Sequence, residues 1–124
     1  MNTIIFDLKN TLLNETGEWL KGAQTALAAT RSSSRRILYT MNEQWTYEQI
    51  TRYPEIWQQF DQLMLVAKKR RQDFEGLVAG EVLVVGDSLT EELLFARELG
   101  YEFIRIQGEM PVDEIENFLK GVRQ

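Results

Sequence analysis

Apolar positions along the chain fall into two patterns. Short continuous apolar runs occupy residues 3–6 (Thr-Ile-Ile-Phe), 37–39 (Ile-Leu-Tyr, ending at Thr40), 63–67 (Leu-Met-Leu-Val-Ala), 82–85 (Val-Leu-Val-Val) and 101–106 (Tyr-Glu-Phe-Ile-Arg-Ile). Runs of this length, bounded by polar or turn residues, predict five strands, and the all-apolar 82–85 run predicts one buried on both faces. Between them the spacing is helical. Residues 16–30 place Trp19, Ala23, Ala26 and Leu27 on one face, and Ser32-Ser33-Ser34 then breaks the pattern. Residues 43–60 carry Ile50, Ile56, Trp57 and Phe60, with Pro54 ending or kinking the helix near Tyr53. Residues 89–99 follow a Ser88-x-x-Glu91 capping-box pattern and stop at Gly100. Pro111 opens a last helix with Asp113 and Glu114 in its first turn, Lys120 in its last, and a stripe of Val112, Ile115, Phe118 and Leu119. Trp19, Trp57 and Phe60 are expected in the core.

Strands alternating with helices predict an α/β fold: a five-stranded parallel sheet, doubly wound and Rossmann-like, in a three-layer sandwich. A length of 124 residues fits one domain over 1–124. No apolar run approaches the roughly 20 residues that span a bilayer. The strand-like start lacks the charged opening of a signal peptide, so a soluble cytoplasmic protein with no membrane partner is expected. The chain has neither cysteine nor histidine. A bound metal would therefore be a hard, oxygen-ligated cation such as Mg²⁺. The formal net charge of −5 counts against nucleic acid as a partner.

Four polar positions lie just past the apolar runs: Asp7, Thr40, Lys68 or Lys69, and Asp87. A parallel sheet gathers such positions at its carboxyl edge, where these folds bind ligands. A carboxylate nucleophile, a hydroxyl, an ammonium and a second carboxylate suit phosphoryl transfer, which needs positioning and charge neutralisation more than covalent machinery.

The run Thr3 to Leu12, with Asp7-Leu8-Lys9-Asn10-Thr11-Leu12, and the downstream Val84-Val85-Gly86-Asp87-Ser88-Leu89-Thr90-Glu91-Glu92 resemble the first and fourth motifs of the haloacid dehalogenase (HAD) superfamily. Residues 37–40 and Lys68 or Lys69 resemble the second and third. The resemblance spans nearly the whole chain and implies a Mg²⁺-dependent phosphohydrolase. Asp7 would form an aspartyl phosphate. Asp7 and Asp87, with the backbone carbonyl of Lys9, would hold the metal, joined by a further acid at Glu91 or Glu92. Thr40 and one of the two lysines would grip the phosphate.

Lys9 departs from the family's Asp-x-Asp-x-Thr pattern, and so does Asn10, where glycine is commoner. The residue at position 9 would serve as acid and base. An ammonium is no base in neutral water, and losing such help typically costs about 10²–10⁴ in rate. Lys9 could instead set its ammonium between Asp7 and Asp87 and displace Mg²⁺. Asn10 is the milder change, because Asn tolerates a left-handed backbone. The gaps between strands leave no room for an inserted cap, so the site is expected to be open, to take a phosphate on a large substrate, or to be closed by a protein partner. The main alternative is a non-catalytic binding or regulatory module on the same scaffold. A receiver domain is disfavoured because its paired acids and its post-strand aspartate and lysine are missing. A metal-free dehalogenase is disfavoured by the missing cap.

Overall fold

The structure, a computed structural model, describes residues 2–76 and 81–121. Five strands, β1 (Asn2–Phe6), β2 (Ser34–Met41), β3 (Gln62–Val66), β4 (Val82–Gly86) and β5 (Glu102–Arg105), form one parallel sheet in the order β3-β2-β1-β4-β5. The helices are α1 (Ala23–Thr30), α2 (Gln44–Arg52), α3 (Pro54–Trp57), α4 (Glu92–Leu99) and α5 (Val112–Leu119), with a 3₁₀ turn at Arg71–Phe74.

The period-2 alternation of each strand sorts its side chains between two cores. Ile4 and Phe6, Leu38, and Leu83 and Val85 face α1, α3 and α5, where they meet Ala23, Ala26, Leu27, Ile56, Ile115 and Phe118. Ile5, Ile37 and Tyr39, and Val82 and Val84, face the other way against Phe95 and Ala96 of α4 and Phe74 of the 3₁₀ turn. A sheet covered on both faces explains why the central strands read as continuous apolar runs. Strands 1 to 3 extend the sheet one way and strands 4 and 5 the other. The order therefore reverses between β1 and β4, and the residues following these two strands flank the resulting crevice.

Several elements differ from the sequence reading. Only residues 23–30 of the 16–30 segment are helical. Gly17 (φ +82°) and Gly22 (φ +85°) take left-handed backbone that a helix cannot contain. A Cβ on Gly22 would lie 2.9 Å from the Met110 carbonyl oxygen, so the chain passes too close to the approach to α5 for another residue. Trp19 instead bridges Leu13 in a small loop and packs against the core partly buried, as does Phe60. Residues 43–60 form two short helices separated at Tyr53, and Trp57 is exposed rather than in the core. The 89–99 helix begins at Glu92, because Ser88 closes a turn: its hydroxyl accepts from the Glu91 and Thr90 amides at 3.0 and 3.2 Å. Gly100 ends α4 in a left-handed conformation (φ +74°). Pro111 precedes α5, which starts at Val112, and Lys120 caps it.

β2 begins three residues earlier than its apolar run. Arg36 is buried, donating to the carbonyls of Leu27 (2.7 Å) and Gln59 (2.5 Å) while its guanidinium lies over Phe60. Its backbone exchanges hydrogen bonds with Asp61, and this ties the start of β2 to the residue just before β3. Arg36→Met would take this donor from the Gln59 carbonyl and leave the Leu27 carbonyl only the Thr30 hydroxyl, at 3.3 Å. It is expected to cost about 1–3 kcal/mol in urea unfolding.

Between β1 and β2 lie only the residue 7–22 loop, α1 and the short α1–β2 turn. Between β2 and β3 lie only α2, α3 and their short connections. Among the described residues no helix is long and apolar enough to cross a membrane.

Candidate functional site

Asp7 directly follows β1. Its amide donates to the Val85 carbonyl at 3.0 Å, continuing the β1–β4 pairing, and its Oδ1 accepts from the Leu8 amide at 2.8 Å. Asp87 follows β4 across the crevice. Glu92 sits in the first turn of α4. Single oxygens of Asp7, Asp87 and Glu92 all lie within 4.8 Å of one another. Lys69 Nζ is 2.8 Å from Asp7 Oδ1 and 3.3 Å from Glu92 Oε1, with the Lys69 and Glu92 side chains each only 2% exposed.

The cluster is held from below. The Tyr39 ring lies under Lys69, 5.4 Å from Nζ. The Tyr39 hydroxyl accepts from the Arg70 amide at 2.9 Å and donates to the Asp73 carboxylate in a short hydrogen bond. Burial and that bond hold the Tyr39 hydroxyl well above the usual phenol range. Gly86 supplies room at the rim. A Cβ there would meet Glu92 Cγ at 2.6 Å and Oε1 at 2.7 Å, so only glycine lets the Glu92 carboxylate lie against the end of β4. Gly86→Ala should force Glu92 outward, at a cost of about 1–3 kcal/mol, together with weakened divalent-ion binding in a manganese titration.

A cavity of about 400 Å³ opens above the cluster, lined in part by Asp7, Lys9, Thr40, Glu43, Lys69 and Asp87. Thr40 is buried one residue before the end of β2. Asn10 adopts φ +58°, the left-handed backbone that Asn tolerates. The structure separates one pair left open by the sequence and corrects one expectation. Lys68 is exposed and lines other cavities, whereas Lys69 turns inward, where two carboxylates draw it. Lys9 does not set its ammonium between Asp7 and Asp87. Nζ lies over the Trp45 ring, 5.2 Å from its centroid, and the indole in turn donates to the Glu15 carbonyl. Lys69 holds the carboxylate-bridging position instead. Of the two acids considered, Glu92 joins the cluster and exposed Glu91 lines the cavity mouth.

Three carboxylates facing one ammonium shape the electrostatics. Burial, with Asp7 beside it, pushes the Glu92 carboxyl up to about 8 despite Lys69. The same two causes raise Asp87. Burial alone would lower Lys69, but Asp7 and Glu92 outweigh it and raise the ammonium above its ordinary range. Glu92 Oε2 is buried with no hydrogen-bond partner. A surplus of clustered carboxylate oxygens with one orphaned acceptor suits a hard divalent cation such as Mg²⁺.

The sign of the pH effect follows from these shifts. The folded chain holds the Glu92 proton at pH values where the unfolded chain has lost it. Without divalent ions, stability should fall as pH rises from 4.5 toward about 8, and Asp87 adds in the same sense. Denaturant titrations across that range should show this slope, flattened in Glu92→Gln.

Sequence reasoning missed Glu43, Gly86 as a spacer, and the Tyr39–Asp73 support. Glu43 lies just past β2, so its edge position could have marked it. Nothing in the sequence links Tyr39 to Asp73, 34 residues on.

No protein-family model matches the chain, and no curated protein matches it. Among solved structures the chain is similar to YfnB from Bacillus subtilis, a protein assigned to the HAD hydrolases and crystallised bound to magnesium. The TM-score is 0.65 at 15% identity over 83% of this chain. The chain spans 57% of that structure's length. The likeness is one of fold: this chain has a HAD-like α/β core.

Proposed function

We propose that the chain is a HAD-like hydrolase domain of the phosphohydrolase type, acting through an aspartyl phosphate on Asp7. The observation that carries the reading is the Asp7 carboxylate at the β1/β4 crevice, with Lys69 on one oxygen and Asp87 and Glu92 beside it. Lys69 and the Leu8 amide fix the rotation of the Asp7 carboxylate, as in-line attack on phosphorus requires. In the first step an Asp7 oxygen bonds to phosphorus while the phosphorus–oxygen bond to the leaving group breaks. The leaving oxygen takes a proton from water, because the Lys9 ammonium is held over the Trp45 ring. In the second step water attacks phosphorus and passes its proton to solvent water, while the bond between phosphorus and the Asp7 oxygen breaks and releases phosphate. Thr40 and Lys69 hold the phosphate oxygens in both steps. Asp7, Asp87, Glu92 and the backbone carbonyl of Lys9 would hold Mg²⁺, which would neutralise phosphate charge when bound. Lys9 supplies no base for the second step, so turnover is slow.

The open cavity favours a phosphate carried on a large substrate, or closure of the site by a protein partner. The turned-away Lys9 also favours a second reading, a non-catalytic module that binds phosphorylated ligands on the same scaffold.

Hydrolysis of an aryl phosphate, with and without Mg²⁺, tests the choice. Slow magnesium-dependent hydrolysis that Asp7→Asn abolishes is the expected result. Activity that survives Asp7→Asn would refute the Asp7 mechanism, and no activity in any condition would favour the binding module.

A further inference from the structure

A second cavity of about 330 Å³ adjoins the first and shares Lys69 and Glu91 with it. One wall is the basic run 68–71, four of the chain's 14 basic residues in a chain that is acidic overall. Building on the phosphohydrolase reading, we propose that this cavity is a subsite for a second anionic group, so that the preferred ligands carry two phosphates or a phosphate and another strong acid.

Of the four cations, only Lys69 is committed to the Asp7 cluster. Lys68 has no ion pair among the described residues and lines the cavity. Arg70 pairs with Asp73 at 3.2 Å and Arg71 with Glu98 at 3.5 Å, with the arginine side chains 59% and 51% exposed. Such exposed pairs hold weakly, and both guanidiniums are free to exchange a single carboxylate for a phosphate that offers bidentate acceptors. The wall is also built rather than loose. The Arg70 amide is fixed to the Tyr39 hydroxyl, and that hydroxyl to Asp73, so the segment presenting the cations is anchored to the same tyrosine that supports Lys69. Glu91 stands between the two cavities. It disfavours one continuous anion and favours two separate groups joined by a neutral linker.

The test is calorimetric binding of propyl phosphate and of a series of alkanediol bisphosphates of increasing linker length, at one fixed free Mg²⁺ concentration. The unaltered chain is compared with the double variant Lys68→Ser/Arg71→Gln, whose positions are exposed and outside the Asp7 cluster. One linker length should bind at least about tenfold tighter than the monophosphate, as expected for a tethered second contact. The double variant should lose that advantage and keep its monophosphate affinity. Equal affinities for mono- and bisphosphates would overturn the subsite, as would an advantage independent of linker length or of the double substitution. A bisphosphate advantage without any phosphate hydrolysis would leave the subsite standing and remove the phosphohydrolase reading. Aryl phosphate hydrolysis with no bisphosphate advantage would do the reverse.

Discussion

Replacing Lys9 with aspartate should speed aryl phosphate hydrolysis by about 10²-fold or more, the range that a positioned general acid–base contributes. Position 9 lines the cavity two residues after Asp7, in the tight loop where Asn10 takes a left-handed turn. A carboxyl group there could protonate the leaving oxygen and then accept a proton from the attacking water. The Lys9 ammonium, held over the Trp45 ring, takes part in neither. The gain should appear in kcat, since the residues proposed to hold the phosphate, Thr40 and Lys69, are unchanged. Its profile should require the aspartate to be ionised for the second step. Losing the contact of half-buried Lys9 with the half-buried Trp45 ring costs about 0.5–2 kcal/mol, which does not offset a gain of that size in kcat. Steady-state kinetics of the two proteins provide the check. Equal rates would mean that position 9 plays no part in proton transfer.

Lys69→Met should destabilise the chain by about 3–5 kcal/mol when divalent ions are chelated, because removing one partner of a buried ion pair leaves uncompensated charge. The three carboxylates that remain lie within 4.8 Å of one another, and one of them already has an unpartnered oxygen. Two conditions should restore part of the loss. Acid should do so by protonating the carboxylates. Saturating Mg²⁺ should do so by binding the folded state preferentially. Urea unfolding with chelator and with Mg²⁺ separates these effects. A loss that Mg²⁺ leaves unchanged would mean that the cluster does not bind the ion.

Much of this architecture was legible in the residues. A sheet buried on both faces writes its strands as apolar runs, so each of the five could be located. Asp7 and Asp87 were marked because each lies just past an apolar run, where a parallel sheet gathers its polar residues. The choice between Lys68 and Lys69 was not legible: both follow β3, and only the pull of Asp7 and Glu92 decides which turns inward. The sequence offered Lys9 as one candidate for an ammonium among the carboxylates, because it stands where the family motif has its second aspartate. The fold instead delivers it from Lys69, 62 positions along the chain from Asp7, a non-local contact that no local pattern encodes. Residues 16–22 read as helix because their apolar spacing is helical. The left-handed glycines override that spacing where the chain must pass close to Gln49 at Gly17 and to Met110 at Gly22. The polar start of β2 hid because Arg36 buries its charge against backbone carbonyls, which hydropathy does not register.

The most direct test of the central claim is to look for the phosphoryl group on Asp7. The chain is incubated with an aryl phosphate and Mg²⁺, quenched in acid and examined by peptide mass spectrometry, beside Asp7→Asn. With no base at position 9, the second step is the slow one and the intermediate should accumulate. The result predicted is a magnesium-dependent phosphoryl group on Asp7 in the unaltered chain and none in Asp7→Asn. An unmodified Asp7, or the same modification persisting at another residue in Asp7→Asn, would contradict it.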